Sequence, residues 1–107
     1  MNRLWEILVP ASNEKQNFSF EHHKAWDDFV KSLSGGLTIL KPAKGYWFDP
    51  DGKEYKDRII PVRISCGEIT IHKIIDFTIE HYSQEAVMCY LISEHVIIKH
   101  KTDAKFQ

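Results

Sequence analysis

The feature that most constrains the fold is a pair of segments with helical spacing, each set between runs of strand-forming residues. Apolar residues recur every three or four positions over 26–33 and again over 71–82. This spacing is typical of helices that bury one side. Ser19 can cap the first helix, because its side-chain oxygen can accept a hydrogen bond from the first turn. The sequence therefore predicts helices over 20–33 and 69–83.

Four runs of β-branched and aromatic residues surround these helices. They cover 4–9, 37–48, 59–65 and 86–98, and a break of the last run near Ser93 and Glu94 is left open. Pro42 interrupts the second run, and proline inside a strand favours an edge position or a bulge because it has no N–H to donate. The second strand is therefore expected to be irregular and to lie at an edge.

The resulting order, βαββαβ with short connections, is the split βαβ pattern of the ferredoxin-like fold. We predict an α+β domain over 1–98, in which a four-stranded antiparallel sheet carries two helices on one face. In this topology the first and third strands are central neighbours. The charged segment 99–107 is predicted to be a flexible tail.

Composition excludes several functional classes. The 107 residues carry a net charge of −1, which gives no positive field for a nucleic acid. No apolar run approaches the length of a membrane span. Cys66 and Cys89 have no CxxC spacing and lie in strand-like or apolar surroundings, which favours reduced thiols over a disulfide scaffold. These observations predict a cytoplasmic protein that does not contact membranes.

Both faces of the predicted sheet are apolar. In the first strand, Trp5, Ile7 and Val9 alternate with Leu4 and Leu8, so each face receives large apolar side chains. Helices cover one face only, and a large exposed apolar surface usually marks a partner or ligand site. We therefore expect a homo-oligomer, with a dimer favoured. The alternative is that loops or the C-terminal segment fold over the second face.

Four short motifs resemble small uncharacterised bacterial proteins of ferredoxin-like fold. The motifs are EILVP at 6–10, GGLT at 35–38, GYW at 45–47 followed by Gly52 and Asp57, and PVRI at 61–64. The resemblance covers most of the chain and implies the same fold. The family carries no assigned activity, so the resemblance implies no catalytic residue.

Glu6 is the most informative charged residue, because a carboxylate between Leu4 and Leu8 must be paired, protonated or placed at a cavity. Arg63 alternates with apolar residues in the third strand, so a Glu6–Arg63 pair is possible across the two central strands. Such a pair could fix strand register or dimer geometry. It could also orient a ligand or perform acid–base chemistry.

Aromatic residues supply the other candidate site positions. Trp47 has Tyr46, Phe48 and Tyr55 nearby, which could line a pocket or pack in the hairpin. Nearby lysines are balanced by acidic residues in the same stretch, so nucleic-acid binding is disfavoured. Together with Tyr90 on the last strand, the candidate ligand-binding residues are Glu6, Trp47, Arg63 and Tyr90.

Metal and thiol chemistry have weak support in the sequence. His72 and Asp76 lie one turn apart on the second helix, with Glu80 a further turn along, but this is also the pattern of a solvated helix face. No histidine or cysteine follows a recognised zinc spacing, so neither a metal nor another cofactor is predicted. Cys66 precedes the second helix and is expected to be packed and inert.

Two functions follow as hypotheses. The first is a self-associating cytoplasmic binding or regulatory domain that takes a small-molecule ligand on the open sheet face. The second is a small-molecule enzyme of the dimeric α+β-barrel type, in which two sheets enclose a cavity. The sequence does not decide whether the chain is an enzyme.

Overall fold

Two helices and five strands make up the regular structure of the computed structural model, which describes residues 2–12 and 16–103. A short 3₁₀ turn, Lys101–Asp103, follows the last strand. The elements in chain order are β1 (Arg3–Ser12), α1 (Phe20–Ser34), β2 (Leu37–Ile39), β3 (Ala43–Phe48), β4 (Glu54–Cys66), α2 (Glu68–His81) and β5 (Cys89–Ser93).

The sheet is antiparallel and has the predicted ferredoxin-like arrangement. Its strands lie in the order β2-β4-β1-β5, so the first strand and the long β4 are central neighbours. The second strand of the predicted pattern is divided into β2 and β3, which pair with different parts of β4. The sheet therefore has five strands where four were predicted. The division falls at Pro42, which cannot donate to the ladder.

The helix ends agree with the sequence to within two residues. Ser19 Oγ accepts a hydrogen bond from the His22 amide at 3.1 Å, which caps α1. At the other end, Gly35 adopts φ +81° and its amide donates to the Lys31 carbonyl. Glycine suits this position because a side chain would strain a left-handed backbone.

The core lies between the helices and one face of the sheet. Trp26 at the centre of α1 is 1% exposed, and its indole N–H donates to Thr78 Oγ1 of α2 at 2.8 Å. Thr78 in turn donates to the Ile74 carbonyl, so the buried hydroxyl is fully used. The other buried side chains of the core are Ile7, Val9, Val30, Val62, Ile64, Cys66, Ile71, Ile74 and Tyr82.

The hairpin formed by β3 and β4 gives the molecule an elongated shape. Its turn closes through Gly52 at φ +82°, whose amide donates to the Asp49 carbonyl. The radius of gyration is 15.8 Å, whereas a compact chain of this length is expected to have about 13 Å. The hairpin carries exposed aromatic side chains, with Tyr46 58% and Phe48 66% accessible.

The last strand is shorter than predicted. Strand β5 ends at Ser93, and 94–100 continue without regular structure. Ile98 then lines the same cavity as Leu4, so this segment reaches one end of the second sheet face. The segment thus approaches that face at Ile98, which remains 66% exposed. Positions 104–107 of the predicted tail lie outside the described residues.

Candidate functional site

Three of the four candidate residues meet on the open face of the sheet. Glu6 lies directly opposite Arg63 in the pairing of β1 with β4, and opposite Tyr90 in the pairing of β1 with β5. Side chains directly opposite one another in antiparallel strands share a face. The neighbouring residue Ile7 points to the helices and is fully buried, so Glu6 points away from them.

The Glu6 carboxylate is held from both sides. Arg63 Nε donates to Glu6 Oε1 at 3.1 Å, and the Tyr90 hydroxyl donates to Glu6 Oε2. Glu6 is 7% exposed, whereas the Arg63 side chain is 44% exposed. A charge-assisted hydrogen bond on each oxygen offsets the cost of removing the carboxylate from water. We call Glu6, Arg63 and Tyr90 the central network.

Trp47, the fourth candidate, lies apart from the central network. Its indole N–H donates to Asp57 Oδ2 at 2.7 Å, and its ring stacks on Tyr55 with centroids 4.4 Å apart. These are contacts within the β3–β4 hairpin. The sequence therefore identified two separate features of the open face, where a single site was predicted.

A groove of about 470 Å³ lies between Trp47 and the last strand. Its size is in the range of small-molecule sites in proteins. Glu6 does not line it. The residues that do are Leu8, Pro10, Gly45, Tyr46, Trp47, Asp57, Ile59, Gln84, Ala86, Val87, Met88 and Cys89.

The helix layer contains a column of stacked rings that the sequence analysis missed. His22 of α1 and His81 of α2 stack with centroids 3.9 Å apart, and each Nε2 lies 2.7–2.8 Å from the other residue's carbonyl oxygen. Phe18 extends the column at one end, and Phe77 and Phe29 extend it at the other. Since each Nε2 donates to a carbonyl, the neutral rings carry their hydrogen on that nitrogen.

A second histidine contact lies beside this column. His23 Nδ1 and the Tyr82 hydroxyl are 2.7 Å apart. Burial is the main cause that lowers the pKa of His23, and the neighbouring His22 adds to it. Burial also raises the pKa of Tyr82. Both side chains are therefore held neutral at physiological pH, and the pair joins the start of α1 to the end of α2.

The two thiols are packed in the protein interior. Cys66 is 4% exposed, and Cys89 is half-buried on β5. Burial raises the pKa of each thiol to about 11. Because the thiolate is the reactive form, both thiols are poor nucleophiles near neutral pH.

The chain has a ferredoxin-like α+β fold, and the solved structures that it resembles include proteins named CutA. It matches CutA of Archaeoglobus fulgidus, a periplasmic divalent cation tolerance protein, with a TM-score of 0.66 and 16% identity, over 92% of this chain and 89% of that one. It also matches CutA1 of Oryza sativa (0.64; 13%; 91% and 83%) and the divalent cation tolerance protein CutA1 of Thermus thermophilus (0.61; 14%; 90% and 88%).

No family model and no curated protein matches the chain. At identities of 13–16%, the structural likeness establishes the fold. It confirms the ferredoxin-like fold that the resemblance implied. The sequence resemblance pointed to a family without assigned activity, whereas the structural neighbours are named proteins. In the described ranges, no helix combines the length and apolar character needed to cross a bilayer.

Proposed function

We propose that this chain is a self-associating binding domain that buries its open sheet face against a second copy. The observation that carries the proposal is the exposure of large apolar side chains on that face. Met88 is 62% exposed, Trp47 39% and Tyr90 37%. Large apolar side chains exposed on one face of a sheet commonly mark an interface. A dimer is the smallest assembly that would cover it.

The central network supports a role in geometry. Glu6 is already engaged by Arg63 and Tyr90, and it lines neither of the two cavities on this face. A half-buried ion pair within an apolar surface can fix strand register or the geometry of association. The arrangement therefore favours a binding domain over an enzyme, because catalysis would require the carboxylate to face a substrate cavity.

The test is the mass in solution, measured by light scattering over a dilution series. We expect a multiple of the 12.5 kDa chain mass. A charge on the apolar surface should oppose association, so Met88→Lys should raise the dissociation constant roughly tenfold or more. The matched control is Ile69→Lys, because Ile69 is 77% exposed on α2, away from the open face.

A monomer of 12.5 kDa at every concentration would overturn self-association. Equal weakening by Met88→Lys and Ile69→Lys would place the interface somewhere other than the open sheet face. Association that Met88→Lys weakens and Ile69→Lys leaves unchanged supports the proposal.

A second candidate function is a part in divalent cation tolerance. It is favoured by the shared fold, since two of the solved neighbours described above are named for that property. Within the described residues, no three side chains of His, Cys, Asp or Glu converge as a cation site would require. Residues 2–12 and 16–103 of one copy therefore do not fit a preformed cation centre. Calorimetric titration with Cu²⁺ and with Zn²⁺ tests this role: saturable binding supports it, and no binding contradicts it.

We also propose a cytoplasmic location. The two cysteines are unpaired, and free thiols are usual in reducing compartments. The Archaeoglobus neighbour is described as periplasmic, so the fold by itself does not decide the location of this chain. Fractionation of cells that express the full chain tests the proposal, and recovery outside the cytoplasmic fraction would contradict it.

A further inference from the structure

A second cavity, of about 340 Å³, lies at the other end of the open face from Trp47. It is bounded by the start of β1, the end of β4 and the glycine turn that follows α1. Its lining combines polar groups, Thr38, Arg63 and Ser65, with the apolar side chains of Leu4 and Ile98. We call this space the Arg63 cavity.

Arg63 is the only charged residue among the described residues that line the cavity. Its Nε is occupied by Glu6, which fixes the orientation of the guanidinium group. The hydrogen bonds found among the described residues leave the terminal nitrogens of the fork available, and 44% of the side chain remains exposed. A guanidinium fork presents paired N–H groups that match the two oxygens of a carboxylate.

Ser65 supplies a second indication that the cavity takes a ligand. Its Oγ is buried and has no hydrogen-bond partner in the described part of the chain. Buried hydroxyl groups are nearly always hydrogen-bonded, because an unpaired one costs free energy. Ser65 lies two positions from Arg63 on β4 and therefore on the same face. Thr38, directly opposite Arg63 in the sheet, adds a third polar side chain.

We propose that the Arg63 cavity binds a small organic acid. The carboxylate accepts hydrogen bonds from the Arg63 guanidinium and the Ser65 hydroxyl, and the short apolar part of the ligand packs against Leu4 and Ile98. A cavity of this volume matches a small metabolite. The inference rests on the binding role proposed above and gives it a ligand class, but it does not require self-association.

The test is an NMR titration of the ¹⁵N-labelled full chain with butyrate, with butyramide as an uncharged analogue and inorganic phosphate as a second oxyanion. Butyrate should cause saturable shifts at the amides of Gly35, Gly36, Thr38 and Ser65. Butyramide should cause none, because it cannot form a charge-assisted pair with Arg63. Scattered, non-saturating shifts with butyrate, or saturation with phosphate alone, would overturn the proposal.

Two variants locate the ligand. Arg63→Gln should weaken butyrate binding by roughly tenfold or more, since it removes a charged donor. The control is Arg58→Gln, because Arg58 is an exposed arginine of the same strand that does not line the cavity. Equal affinities for wild type and Arg63→Gln would overturn the assignment.

Ser65→Ala keeps the test informative if Arg63→Gln fails to fold. It removes an unpaired buried hydroxyl, so its thermal midpoint should equal or exceed that of wild type, while butyrate affinity should fall about fivefold. Loss of stability without loss of affinity would contradict the proposal.

The mass of each sample, measured in parallel, separates the two proposals. A monomer that binds butyrate overturns self-association alone. An assembly that does not bind butyrate overturns the ligand assignment alone.

Discussion

The two faces of the sheet have the same apolar alternation and different coverage. On the helix side, Ile7 and Ile64 are fully buried under α1 and α2. On the open side, Met88 and Tyr90 remain 62% and 37% exposed, and Glu6 is held by Arg63 and Tyr90. The comparison shows that an apolar alternation identifies residues that need cover. It does not identify which element covers them. Two helices cover one face, and in our proposal a second copy of the chain covers the other.

Removing a core side chain should produce the largest effect. Ile74 of α2 is fully buried against the sheet. Ile74→Ala should lower the free energy of unfolding by about 2–5 kcal/mol, because it removes apolar contacts and leaves a cavity. Urea unfolding measures this change. Ile69→Ala on the exposed side of the same helix is the control and should have an effect within about 0.5 kcal/mol. Similar losses for both variants would contradict the assignment of the helix face as the core.

The central network should give an intermediate effect that depends on which partner is removed. Arg63→Leu leaves the Glu6 carboxylate with Tyr90 alone, so it should cost about 1–3 kcal/mol in unfolding free energy. Glu6→Leu leaves an arginine whose side chain is 44% exposed and can reach water, so its cost should be smaller than that of Arg63→Leu. The double variant measures the coupling between the two side chains by urea unfolding. Equal and negligible effects of both single changes would remove the network from any special role.

Much of the fold could be predicted because its signals are local. Ser19 and Gly35 mark the ends of α1 through hydrogen bonding and backbone conformation, and the structure has both features where the sequence placed them. The division of the second strand was harder to predict, since Pro42 indicated an irregularity without showing that two separate strands would form. The end of β5 at Ser93 falls where the sequence left a break open, but Val96, Ile97 and Ile98 favour strand structure, so the sequence did not decide whether the strand would continue.

The candidate site was predictable in part, for reasons of topology. Glu6 and Arg63 could be paired from the expected adjacency of the central strands. Trp47 could not be placed along the face, because its distance from Glu6 depends on the register and length of the hairpin. The His22–His81 stack is a contact between distant segments. The predicted fold could have indicated this contact, since antiparallel helices bring the start of α1 close to the end of α2.

The smallest effect concerns pH and lies entirely on the helix side. The pKa of His23 is lowered from 6.5, chiefly by burial. Between this lowered pKa and 6.5, the unfolded chain holds more protons than the folded chain at this residue. The contribution of His23 to the free energy of unfolding therefore rises with pH across that window and is lost as the pH falls below 6.5. Above 6.5 the residue is neutral in both states, so its contribution no longer changes.

His23→Gln should reduce the dependence of unfolding free energy on pH between about 7.5 and 5.5, a range set by the usual histidine pKa. Urea unfolding at several pH values measures the slope. His72→Gln is the matched control, since His72 is exposed on α2. The groups around His23, namely His22, His81, Tyr82 and Asp27, are common to all three proteins. Asp27 acts in the opposite sense and at lower pH, because burial raises its pKa from 3.8 and stability then falls as the carboxyl group ionises. An unchanged slope in His23→Gln would mean that burial does not hold His23 in its neutral form.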